Sequence, residues 1–145
     1  MTELAVTVAV AAILATIAVP SFNGIIARQR ALTFTSALYG TLSKARSEAI
    51  TLNTNVTLQP KAGGWQAGWQ VLDANNNVLD DYTAATGVNV PAGPAQVTYR
   101  PSGRLPAGGA APMFQINTTA GSVTDYQCVS VDLSGRPYMQ ASPTC

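Results

Sequence analysis

Few residues in this chain of 145 are of a type that does chemistry. Histidine is absent, which removes the commonest general base, the usual catalytic triads and imidazole-ligated metals together. The carboxylates are few and scattered, and no nucleophile stands with a base in a readable constellation. The chain therefore reads as a non-enzyme that needs neither cofactor nor metal. Cys128 and Cys145 are too few for a four-ligand zinc site and lack Cys-x-x-Cys spacing. One disulfide closing the C-terminal loop is their simplest use and would contribute about 3 kcal/mol, with free thiols the competing use. Asp73-Ala74-Asn75-Asn76-Asn77 sets oxygen donors at alternate positions, as calcium loops do. Val78 stands where the turn glycine belongs and Ala84 where the closing glutamate would be, so a hairpin turn explains the run better. A net charge of +1 is too balanced for bulk phosphate neutralisation. Any anion site must be local.

Glu3 is the other chemical oddity. It heads a stretch, Leu4 to Ala27, without a charged residue, in a chain that is 47% hydrophobic and 10% charged with mean hydropathy +0.16. A lone carboxylate at the head of an apolar helix signals either a partner cation or favourable placement at the positive end of the helix dipole. The pure apolar run to Pro20 is just shorter than the ~20 residues that span a bilayer, and Phe22, Ile25 and Ile26 extend it. A signal peptide fits poorly, because Arg28 and Arg30 follow the run instead of preceding it. Those arginines would hold the following chain in the cytoplasm, whereas a disulfide argues for an oxidising compartment there. A short basic leader ahead of Met1 removes the conflict.

The elements that must position these groups are legible in the periodicity. Ala27, Ala31, Phe34, Leu38, Leu42, Ala45, Ala49 and Leu52 recur at steps of four and three, one stripe of an amphipathic helix, with Arg28, Arg30, Lys44, Arg46 and Glu48 off it. The two runs predict a single helix from near Leu4 to about Leu52, kinked at Pro20. At ~1.5 Å per residue such a helix is longer than a small domain is wide, so its first half must protrude. After it the period changes. Val56 to Leu58, Trp69 to Leu72, Gln96 to Tyr99, Met113 to Ile116 and Cys128 to Asp132 predict antiparallel strands. Gly63-Gly64, Asn75-Asn76-Asn77, Ser102-Gly103 and Ser134-Gly135 read as hairpin turns. The class is α+β, with the amphipathic half-helix laid on one face of a sheet and Trp65 and Trp69 filling the core between them.

The segment from Thr2 through Glu3 and the apolar run to Pro20-Ser21-Phe22 resembles the N-terminal helix of type IV pilins and type II secretion pseudopilins. Leu42-Ser43-Lys44-Ala45-Arg46-Ser47-Glu48-Ala49-Ile50, Trp65-Gln66-Ala67-Gly68-Trp69, Arg100-Pro101-Ser102-Gly103 and Ser134-Gly135-Arg136-Pro137 are similar to the GspH/FimT group of that superfamily. The resemblance implies a pilin fold: residues 1–27 a protruding transmembrane or filament-core helix, residues 28–145 the globular part. It implies a precursor cut by a prepilin peptidase after a glycine, leaving an N-methylated phenylalanine ahead of the glutamate. No glycine or phenylalanine precedes Met1, so a little mature chain is expected upstream.

By the same resemblance, Glu3 and Pro20 are the assembly residues, with Glu3 engaging the N-terminal amine of a neighbouring subunit. The expected role is a minor pilin that assists filament initiation or tip assembly. It would wait in the bacterial inner membrane with its globular part in the periplasm and then join other pilins through its helix. The H-type pseudopilin of a type II secretion system is the alternative. A third role is DNA uptake. Gly135-Arg136-Pro137-Tyr138 is similar to the Gly-Arg-x-Arg motif of DNA-binding members, with Tyr138 in place of the second arginine. Arg136, Tyr138, Arg100 and Arg104 are thus the candidate DNA contacts.

Overall fold

The computed structural model describes Thr2–Ala84 and Thr86–Cys145, with the side chains of residues 15–21 outside that description. One α-helix, α1, runs Thr2–Thr51, close to the predicted bounds. The side chain of Pro20, and with it the expected kink, falls among the residues not described. Of the predicted stripe, Ala27, Ala31, Phe34, Leu38, Leu42, Ala45 and Ala49 are all buried. Leu52 is not. It lies just past the last helical residue, where the chain turns through Asn53 at a φ of 50°, and the helical period no longer aims it inward.

Among the described residues eight strands follow: β1 Val56–Lys61, β2 Gly64–Leu72, β3 Val78–Thr83, β4 Val88–Ala92, β5 Val97–Tyr99, β6 Met113–Ala120, β7 Val123–Val131 and β8 Pro137–Gln140. They form two four-stranded sheets, ordered β3-β2-β1-β5 and β4-β6-β7-β8, instead of the single sheet expected. All six strand pairings are antiparallel. The turns at 63–64, 75–77 and 134–135 are hairpin turns. The turn at 102–103 is tight but joins no paired strands, since β5 and β6 belong to different sheets.

Both sheets share one core with the helix. Phe34, Leu38, Leu42, Ala45 and Ala49 meet Val56, Leu58, Trp69, Val71 and Tyr99 of the first sheet and Phe114, Ile116, Val129 and Val131 of the second. Trp69 is the hinge of this packing: Phe34 of α1 meets it edge-on at 5.3 Å and Tyr82 of β3 stacks on it at 4.3 Å. Its indole Nε1 donates to Thr41 Oγ1 at 3.1 Å, and Thr41 in turn donates to Ala37 O. Trp65 joins the sheets, edge-on to Phe114 at 4.8 Å, with its own Nε1–H donated to Pro94 O.

Strand β7 is buried at five successive residues, Gln127 to Val131, although strand side chains alternate between faces. Val129 and Val131 face the core. Cys128 and Ser130 face the other way and are covered in part by the C-terminal tail, which the Cys128–Cys145 disulfide holds down with the two Cα atoms 5.6 Å apart.

Candidate functional site

Two surfaces carry the residues singled out by the sequence. The first is the head of α1. From Thr2 to Leu14 every described side chain is exposed, including Leu4 at 72%, Val6 at 61% and Leu14 at 62%. Glu3 sits in the first turn of the helix, and Thr7 Oγ1 donates to the carbonyls of Glu3 and Leu4. The grip of the globular part begins at Asn23 and Gly24, which lie against Gly121 and Val123 of the β6–β7 hairpin. It tightens at Ala27, whose carbonyl accepts the Thr118 hydroxyl proton. Among the described residues no helix is long and apolar enough to cross a membrane. The middle of the apolar run, residues 15–21, lies outside that description.

The second surface is a pair of turns at the opposite end of the helix. Arg100-Pro101-Ser102-Gly103-Arg104 follows β5, and Asp132-Leu133-Ser134-Gly135-Arg136 joins β7 to β8. The two share one backbone pattern. Gly103 N donates to Arg100 O at 2.8 Å and Arg100 N to Arg104 O at 2.9 Å, while Gly135 N donates to Asp132 O at 2.9 Å and Asp132 N to Arg136 O at 3.0 Å. Each needs a left-handed residue at its fourth place, supplied by Gly103 at φ 69° and Gly135 at φ 85°. The glycines also let the turns touch. A Cβ on Gly135 would lie 2.0 Å from Gly103 O. Arg46 of α1 completes the lock, donating its Nε–H to that same carbonyl at 2.9 Å.

Of the four candidate contacts, the structure brings Arg100 and Arg104 to one cleft of about 430 Å³, walled by Leu105, Pro106, Ala107 and Leu133. Arg136 belongs to the second turn but does not line the cleft, and Tyr138 stands further along on β8, 48% exposed. Asp132 holds the second turn together. Its carboxylate accepts from the Ser134 hydroxyl and the Arg136 backbone N–H, and with the nearby Arg136 charge these donors hold it below the usual carboxylate range. Among the described residues Arg100, Arg104 and Arg136 form no salt bridge; the ion pairs there are Lys44–Asp80 and Lys61–Asp81.

Sequence reasoning missed Leu133, the apolar wall of the cleft, and Arg46, its brace. The signal for the paired turns was present in the repeated Ser-Gly-Arg at 102–104 and 134–136. The Asp73 loop is a hairpin turn, in which the carboxylate accepts from Asn75 N, Asn77 N and Asn77 Nδ2.

A long helix with an exposed apolar head, its second half wrapped by antiparallel sheets, is the architecture of a pilin-type subunit. The sequence matches the family Type II transport protein GspH over residues 35–135, and the chain belongs to that family. Its fold is similar to that of the type IV minor pilin FimU of Pseudomonas aeruginosa in two crystal forms. One is 19% identical with a TM-score of 0.62, the match covering 78% of this chain and 90% of that one. The other is 20% identical with a TM-score of 0.58, covering 75% and 91%. No curated protein gives a significant sequence match. The fold is that of a pilin.

Proposed function

We propose that the protein is a minor pilin, a filament subunit that docks through residues 1–27 and displays residues 28–145. One observation carries the reading: a single helix bears exposed apolar side chains from Leu4 to Leu14 and a fully buried stripe from Ala27 to Ala49. Such a surface is stable only in lipid or against other helices. The subunit therefore resides first in the inner membrane, its disulfide-bonded globular part in the oxidising periplasm. It leaves when lipid contacts are exchanged for contacts with other pilins. Glu3, the carboxylate at the head of that surface, requires a cation once it enters an apolar bundle. The N-terminal amine of a neighbour, exposed by prepilin peptidase, is the natural one.

A Glu3→Ala variant of the full chain, produced in cells with the assembly machine, tests this. It should accumulate in the membrane fraction and fall at least about tenfold in sheared filaments. Unchanged incorporation would remove the role of Glu3.

The pseudopilin of a type II secretion system is the second reading, and the description of the matched family, a type II transport protein, favours it. Deleting the gene separates the two. Loss of surface pili marks the minor pilin, and retention of secreted proteins in the periplasm marks the pseudopilin.

A further inference from the structure

The cleft formed by the first turn, the loop 105–108 and Leu133 of the second turn is a built feature that the helix-docking role does not use. Its two arginines have no carboxylate within salt-bridge reach among the described residues, and the nearest turn carboxylate, Asp132, is engaged by Ser134 and the Arg136 backbone. Beside them the lining includes the aliphatic Leu105, Pro106, Ala107 and Leu133, the last 58% exposed. The frame is rigid, because the turns meet at Gly103 and Gly135 and Arg46 clamps the contact. The two exposed guanidinium groups thus stand on a fixed backbone without a carboxylate partner, and their planar forks match a carboxylate in geometry and charge.

We propose that this cleft binds a protein segment carrying a carboxylate beside an aliphatic side chain, contributed by a partner protein. The carboxylate bridges Arg100 and Arg104, and the aliphatic group lies against Leu105, Pro106 and Leu133. The volume of about 430 Å³ accommodates one or two side chains, within the range of small ligand sites. Duplex DNA is the competing occupant, and three features disfavour it. The arginines line a cleft instead of forming a ridge, no aromatic side chain lines that cleft for base stacking, and the chain's net charge of +1 provides no long-range attraction. The inference does not depend on whether the subunit serves a pilus or a secretion system.

The test uses the full chain in detergent micelles and three fluorescent probes: a blocked hexapeptide alternating leucine and glutamate, its leucine–glutamine counterpart, and a short DNA duplex. The acidic peptide should bind, its neutral counterpart should bind at least about tenfold more weakly, and the Arg100→Gln/Arg104→Gln pair should abolish the difference. Leu133→Ser should weaken the acidic peptide severalfold, whereas Arg136→Gln should leave it unchanged. Thermal unfolding of each variant confirms that the exposed substitutions leave the fold intact. The proposal is overturned by three outcomes: no peptide binding at millimolar concentration, binding indifferent to the arginine pair, or DNA binding that depends on Arg100 and Arg104 while the peptide stays free. Because none of these readouts involves filament incorporation, a failure here is separable from failure of the assembly role.

Discussion

Gly135 and Gly103 meet back to back, so closely that a Cβ on Gly135 would lie 2.0 Å from the Gly103 carbonyl oxygen. The contact joins the end of β7 to the end of β5 and thereby one sheet to the other. Gly135→Ala should combine left-handed strain with a backbone clash and lower stability by about 2–4 kcal/mol. Gly108→Ala is the internal control. At φ 83° it carries the strain but meets nothing within 4 Å, so its cost should stay near ~1 kcal/mol. Denaturant unfolding of the two variants in parallel measures the difference.

Trp69 should be the most sensitive core position, because it touches the helix and β3 at once. Trp69→Ala is expected to lower stability by about 3–5 kcal/mol. Thr41→Val, which keeps the shape but removes the acceptor of the indole N–H, should cost about 1–3 kcal/mol.

The disulfide closes the chain between residues 17 apart, and the entropy of that loop gives an expected loss of about 3 kcal/mol in Cys128→Ala/Cys145→Ala. Because Cys128 lies on the outward face of β7, away from the helix, the pairing of the two sheets should survive. Far-ultraviolet circular dichroism should therefore be nearly unchanged while the unfolding midpoint falls.

The pH dependence should have two limbs. Asp73, Asp81 and Asp132 are all held below the ordinary carboxylate value: Asp73 by Asn77, Asp81 by Lys61 and Gln70, and Asp132 by Ser134 and Arg136. A depressed folded pKa means stability present above the unfolded value and lost as pH falls through the folded one. The acid limb therefore starts below about pH 4. Tyr99 works in the opposite direction. Burial pushes its phenol above the usual 10.0, so stability falls as pH rises past about 10, where only the unfolded chain ionises. Its hydroxyl is buried without a hydrogen-bond partner among the described residues. Tyr99→Phe should thus flatten the alkaline limb and raise stability at neutral pH by about 1 kcal/mol.

The helix was the most legible part of the sequence because burial repeats along it at a fixed period, and Ala27 to Ala49 followed that period residue by residue. Strands were legible where they are central. All three that escaped, β3, β4 and β8, are edge strands. Edges dilute the apolar signal with charge and proline, here Asp80 and Asp81 in β3, Pro91 in β4 and Pro137 in β8. Edge strand β5 was found because Val97 and Tyr99 are buried. The second sheet was hidden for a related reason, since nothing in local pattern says which strands pair. The arginine cleft was half legible. Arg100 and Arg104 are close in sequence, but Leu133 reaches them only through the contact of two glycine turns, which sequence spacing does not encode.

The exposed head of α1 is the proposed docking surface for other subunits. A photoreactive residue at Val10, 51% exposed in the isolated chain, placed in the full protein within cells that carry the machine, tests this directly. Covalent adducts with neighbouring pilin subunits should form and should disappear in Glu3→Ala. Labelling of lipid alone at Val10, with the machine fully assembled, would contradict that docking role.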